Sequence, residues 1–144
     1  MKNNATDHQV VINHNESVID IDFDITTYVL SICNYLNTDF NHIEITFLTK
    51  ETITTMNNEY FNAEVPTDTI SFNLTPEELI TGDIYICPEV IQDNATQYKL
   101  SFEHELKIVL IHSVLHLIGH EDDTDENFEK MTALQNKIYE ELNS

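Results

Sequence analysis

Arginine does not occur in this chain of 144 residues, and all its positive charge rests on six lysines against 26 carboxylates, a formal net charge of −20. The missing guanidinium fork and the scarcity of cations argue against a stable, salt-dependent grip on nucleic acid through many phosphate contacts. A transient encounter with nucleic acid, or one made through a partner or a metal, stays open. The charge also suits a soluble, weakly associating protein. Glycine occurs twice and proline three times, so long regular elements joined by short polar turns are expected. Repeats, low-complexity tracts and interior linkers are absent. No run is apolar for long enough to cross a bilayer. The segment from Met1 to Gln9 is polar and lacks the basic start and apolar stretch of a signal peptide, which leads to the expectation of a cytoplasmic protein. Only Cys33 and Cys87 carry thiols. Both lie in apolar contexts away from any metal-ligand spacing, and both are read as buried free thiols.

What is present is regular patterning over the length of one domain, 1–144. Gln9 to Asn13 reads as a short strand. Ile25, Tyr28, Val29, Ile32 and Leu36 fall at helical spacing, and His42 to Leu48 alternates as a strand does. Glu51 to Phe61 is a helix by its stripe of Ile53, Met56 and Tyr60. Thr69 to Leu74 is strand-like. Thr75-Pro76-Glu77-Glu78 has the form of a capping box with proline at the first helical position, which predicts one helical turn ended by Thr81-Gly82. Asp83 to Cys87 is a further strand, and Pro88 opens a helix to about Gln97. Ser101 caps an apolar helix from Phe102 to Ile118, ended by Gly119. Asp123 or Thr124 caps the last helix, with Phe128, Met131, Leu134 and Ile138 on one stripe. The order implies an α+β fold: a small mixed sheet of about four strands packed against about five helices, with a central helix carrying the chemistry.

That chemistry lies in His112-Ser113-Val114-Leu115-His116-Leu117-Ile118-Gly119-His120-Glu121-Asp122. Two histidines four apart on a helix place their rings one turn apart on one face, where they can share a Zn²⁺ at about 2.0–2.1 Å each. A third ligand requires the chain to turn back, and Gly119 is where it can. Beyond it stand His120, Glu121, Asp122 and Asp123, all able to ligate. Three protein ligands would leave a fourth position open, as in catalytic zinc sites. On the bland reading the pair is simply two helix histidines, but the apolar surroundings, the glycine and the acidic cluster favour a metal. A zinc peptidase of the His-Glu-x-x-His type needs a glutamate beside the first histidine as general base, and Ser113 stands there instead. His8, His14, His42 and His104 have no partners at ligand spacing and are expected at the surface.

These residues resemble the signature of the YbeY family of endoribonucleases, His-Gly-x-Leu-His-Leu-x-Gly-Tyr-Asp-His, with matches at His112, Leu115, His116, Leu117 and Gly119. Upstream, Pro66-Thr67-Asp68-Thr69-Ile70-Ser71-Phe72 is similar to the family's Pro-Thr-Asp-Val-Leu-Ser-Phe strand. Gly82-Asp83-Ile84 is similar to its Gly-Asp-Ile strand, and Asn94-Ala95 and Glu105-Leu106 fall where the pattern expects them. The resemblance covers about Ile43 to Met131. It implies a zinc-dependent endoribonuclease acting on single-stranded RNA in ribosomal RNA maturation and ribosome quality control. It also implies contact with a small-subunit ribosomal protein and an assembly GTPase, and one zinc ion held by His112, His116 and Asp122. Ser113, His120, Glu121 and Asp122 depart from the signature, the last giving an aspartate for the third histidine. A second departure is Phe61, where the family often carries an arginine thought to help catalysis. That role is vacant or falls to a lysine such as Lys107. Asp68 is a candidate for orienting water, and equally a backbone-capping residue. Ser71 and Phe72 are candidates for lining the groove under the metal. Glu105 is a candidate hydrogen-bond partner for His112. No general base is assigned. The rivals are a metal-bearing ribosome-assembly factor that does not cut, and a zinc hydrolase of another substrate such as a peptide.

Overall fold

The computed structural model describes residues 9–13 and 21–144; His8 and His14 lie outside them. Among the described residues, strands β1 (Gln9–Asn13), β2 (Phe40–Phe47), β3 (Thr69–Asn73) and β4 (Ile80–Ile86) form one sheet in the order β1-β2-β4-β3. β1 with β2 and β2 with β4 are parallel, while β3 with β4 is antiparallel. Parallel neighbours need a helical crossover, and α1 (Ile25–Tyr35) and α2 (Lys50–Phe61) supply it. α3 (Pro88–Tyr98), α4 (Phe102–Leu117) and α5 (Asp125–Leu142) follow. The α+β expectation of four strands and five helices holds.

The alternating side chains sort the sheet into two faces. Ile43, Ile45 and Phe47 of β2 and Ile84 and Ile86 of β4 point to the face on which α1, α4 and α5 pack, forming the main core. Ile70, Phe72 and Tyr85 point to the other face, where Ile53 and Met56 of α2 cover them in a smaller cluster. α4 is the centre of the main core. Leu106, Val109, Leu110, Ile111, Val114, Leu115 and Leu117 are all buried, so only a narrow strip of that helix is left for polar side chains. Gly82 allows this helix to lie close on β4: a Cβ there would stand 2.8 Å from Leu117 Cδ1. Asn73 Nδ2 of β3 donates to the Leu117 carbonyl at 2.9 Å, so the same end of the helix is also tied to the sheet edge.

One expected turn of helix is absent. Thr75 to Glu78 belong to the β3–β4 hairpin loop, and β4 starts at Ile80, so Thr81-Gly82 lies inside a strand. The capping groups are used locally: Asn73 Oδ1 accepts from the Thr75 N–H, and Thr75 Oγ1 accepts from the Thr81 N–H and donates to the Leu79 carbonyl. The pairing of Asn73 with Gly82 decides the matter, because it forces the chain to reverse between them. Cys33 and Cys87 are buried free thiols, as expected. Burial pushes the Cys33 thiol up to about 11.

Candidate metal centre

The strip left open on α4 carries His112 and His116. Their rings stand edge to face, with the two Nε2 atoms 3.0 Å apart. Past Ile118 the helix ends in a Schellman turn: the Gly119 N–H donates to the His116 carbonyl and the His120 N–H to the Leu115 carbonyl. Gly119 takes φ +100°, a left-handed conformation that disfavours any side chain. That reversal brings Asp122 back over the histidines, with Oδ2 3.5 Å from each Nε2. Four ligands at zinc–nitrogen and zinc–oxygen lengths in a tetrahedron lie about 3.3 Å from one another. The three atoms here, separated by 3.0, 3.5 and 3.5 Å, make a triangle of that size. One nitrogen each from His112 and His116 and one oxygen of Asp122 could therefore hold a single ion. Exposed His120, the competing third ligand, lies outside this set beside Glu121, Asn127 and Lys130.

Neighbouring groups prepare the rings for that role. His112 Nδ1 is 2.9 Å from Gln135 Oε1 of α5, so Nδ1–H donates there and the Nε2 lone pair is left facing Asp122. Glu105, the candidate for this contact, does not make it. It is half-buried, and its carboxyl is held above its ordinary range first by burial and then by the charge of Asp68. The His116 pKa is lowered from 6.5, chiefly by burial and then by His112, against the opposing pull of Asp122. His116 is thus neutral at pH 7, the state a ligand needs. Gln135 had one signal in the sequence, a polar residue four positions after Met131 on the buried stripe of α5.

Ser113 is fully buried and points away from the rings. Its Oγ donates to the Val109 carbonyl at 2.8 Å and accepts from Thr69 Oγ1 at 2.9 Å, riveting α4 to β3. The group beside His112 is structural, and the peptidase reading loses its base by geometry as well as by residue type.

The triad lines a cleft of about 420 Å³ whose other wall comes from α2, β3 and the loop between them: Asn57, Phe61, Thr67, Asp68, Ile70 and Ser71. Asp68, Ser71 and Phe61 therefore join the site as sequence reasoning placed them. Asn57 was not foreseen; its Nδ2 donates to the Val65 carbonyl and holds the loop between α2 and β3. Phe72 faces the α2 side and packs in the smaller cluster. Among the described residues no lysine lines the cleft. Lys107 in particular does not fill the vacant cationic role. Its Nζ bonds Glu103 at 3.0 Å and Asn143 at 2.9 Å and lies 5.0 and 5.1 Å from the ring centres of Phe23 and Tyr28. Part-exposed His42 stands 3.5 Å from Glu44 and part-exposed His104 stacks on Tyr139, and neither joins the metal ligands.

Fold and site together define a class: an α+β domain in which a buried central helix presents two imidazoles, closed by a carboxylate beyond a glycine turn, at the spacing one metal ion requires. Within that class the chain belongs to the YbeY family, since the sequence profile described as Endoribonuclease YbeY matches residues 7–143. A protein of that name from Thermotoga neapolitana is 39% identical over 99 residues, 68% of this chain and 65% of its own length. One from Chlorobium luteolum is 41% identical over 87 residues, 60% of this chain and 64% of its own. One from Flavobacterium johnsoniae is 39% identical over 95 residues, 66% and 68% respectively. The chain thus spans about two thirds of the length of these curated relatives. A Thermotoga maritima protein whose structure was determined in solution shares the fold with a TM-score of 0.55, over 93% of this chain and 91% of that one, at 24% identity.

Proposed function

We propose that this chain is a single-domain, zinc-dependent endoribonuclease of single-stranded RNA, acting in the cytoplasm in ribosomal RNA maturation and ribosome quality control. The observation that carries this reading is the His112–His116–Asp122 triangle, set in a cleft within a chain of the YbeY family. The proposed ligands are His112 Nε2, His116 Nε2 and an Asp122 oxygen. Held there, a zinc ion would supply Lewis-acid polarisation of a phosphate oxygen or of an attacking hydroxyl.

The chain's own residues do the rest. Gln135 fixes the His112 tautomer, and burial keeps His116 unprotonated. Asp122 lowers the net charge of the site relative to a third histidine. Asp68 is the carboxylate in the cleft outside the triangle. It is the side chain available to take a proton from an attacking hydroxyl or to orient it. Partners on this reading are RNA, a small-subunit ribosomal protein with a basic face, and an assembly GTPase.

The absence of a lysine from the cleft wall among the described residues favours a second reading, a metal-bearing assembly factor that does not cut. Cleavage of a single-stranded RNA by zinc-loaded protein, with His116→Ala purified in parallel, decides between them. Cleavage by the wild type alone is expected. Equal activity in both samples means a contaminant or a wrong site. No cleavage by either, with zinc retained only by the wild type, selects the assembly factor.

A further inference from the structure

Among the described residues the wall facing the metal ligands holds no cation, but it carries the ring of Phe61. Phe61 is the last residue of α2. Asn62, in the left-handed conformation with φ 56°, caps the helix there and leaves Phe61 at the cleft, 56% exposed. Its ring lies parallel to Phe72, with 6° between the planes and centroids 6.1 Å apart, an offset stack. Phe72 is in turn held by Tyr60 at 5.1 Å and by Tyr85 at 6.2 Å. Tyr60 is itself 62% exposed. Two large exposed aromatics anchored on a half-buried third make a ring surface with little conformational freedom left to lose on binding. A chain of net charge −20 gains little from general phosphate attraction. Any hold on a single strand near the ligands must come from another source, and every unpaired base offers a π-face.

We propose that Phe61, backed by Phe72 and flanked by Tyr60, is a stacking subsite for an unpaired nucleobase next to the phosphate at the metal ligands. In this chain the strand is gripped by its bases rather than by its charge. The inference rests on the nuclease reading for its occupant, and it concerns binding rather than bond cleavage. An unpaired base fits better than an apolar protein segment because Phe61 itself lines the cleft that carries His112, His116 and Asp122. Double-stranded RNA keeps its bases stacked on one another and cannot use the site.

The test is equilibrium binding of zinc-loaded protein to a fluorescent 2′-O-methyl phosphorothioate single strand, which resists cleavage, alongside the same strand with one abasic position moved along it. Phe61→Ala and Phe61→Leu are each expected to weaken binding about 5- to 150-fold, the range of a lost base–aromatic stack. Phe61→Trp is expected to retain it. Phe61→Leu keeps apolar bulk without a π-system and so separates stacking from simple packing. One abasic position should cost the wild type a similar factor and cost Phe61→Leu nothing further. Binding should also fall far less between 50 and 200 mM salt than the 10³–10⁵-fold drop of a phosphate-gripping protein. Wild-type affinity in Phe61→Leu, or no preference of the wild type for intact over abasic strands, overturns the proposal. Capture of apolar peptide in place of the strand overturns it as well. Base-dependent binding without cleavage of ordinary RNA would keep the subsite and sink the nuclease; His116-dependent cleavage untouched by Phe61→Leu would do the reverse.

Discussion

The two walls of the cleft are built on different principles. The α4 wall is deeply embedded: its histidines project from a helix that buries Leu106, Val109, Leu110, Ile111, Val114, Leu115 and Leu117, and its C-terminal end is held by Gly82, Asn73 and the Thr69–Ser113 pair. The α2–β3 wall is a rim of one exposed aromatic, Phe61, and short polar side chains, held by a loop contact from Asn57. Both walls resemble the family in spacing and both depart from it in residue type: on the ligand wall Asp122 stands where the signature has a third histidine, and on the rim, beside the matching Thr67-Asp68, Phe61 stands where the family often has arginine. A metal site tolerates errors of only a few tenths of an ångström in ligand position, so its wall must be rigid. A wall that meets a flexible single strand can change its means of attraction from charge to stacking without disturbing the fold.

The largest effect should come from uncoupling α5 from the ligand wall. Gln135→Ala leaves the core stripe of Met131 and Ile138 intact but frees the His112 ring. Zinc affinity, measured by competition with a chelating dye, is expected to fall about 10- to 100-fold. Unchanged affinity would show that α4 alone orients the ring and that α5 only packs. Next is the seat of the helix. Gly82→Ala puts a methyl 2.8 and 2.9 Å from the two terminal carbons of Leu117, which is itself buried. Overpacking of that kind costs about 1–3 kcal/mol, read as a lower midpoint in urea, and Leu117→Val in the same chain should restore part of it. Loss of zinc affinity together with stability would tie the rigidity of this wall to its function.

Much of this was legible from residue spacing because it depends on local periodicity. The strands and helices follow alternation and 3.6-residue stripes, and the turn at Gly119 follows from a glycine closing an apolar helix. Asp122 as third ligand came from the family signature, since His120, Glu121 and Asp123 were open on spacing alone. What was not legible depends on long-range pairing. The helical turn read at Thr75–Glu78 gave way to a hairpin because Asn73 pairs with Gly82 across it. Gln135 lies 23 residues from His112, and a glutamine on an apolar stripe names no partner by itself. Glu105 and Lys107 were placed by helical phase and by elimination, and tertiary packing took both elsewhere.

A smaller effect concerns pH and the ligand wall alone. The folded-state pKa of His116 lies below its unfolded value of 6.5, so between the two values the unfolded chain binds more protons. Its contribution to stability is therefore present at neutral pH and is lost as pH falls through 6.5, levelling off below the folded value. Metal-free protein is expected to have a lower unfolding midpoint near pH 5 than near pH 7.5, with that slope reduced in His116→Ala. Zinc should release as the same proton binds. An unchanged slope in His116→Ala would place the pH dependence on the carboxylates instead.

The smallest expected effect on activity is also the sharpest separation of the two walls from the rest of the chain. Lys107 is the lysine that elimination nominated for the missing arginine, and it is held far from that work by Glu103, Asn143 and the rings of Phe23 and Tyr28. Its side chain is only 13% exposed. Lys107→Met keeps most of the alkyl stem and removes the charge, so the loss should be about 1 kcal/mol of stability, the scale of a partly buried cation–π contact. RNA binding and zinc affinity should stay at wild-type values, because neither wall contains this residue. If the variant instead folds normally but loses its affinity for RNA, the α1–α4–α5 corner would be part of the RNA path, and the grip through Phe61 would have to share its role with a cation.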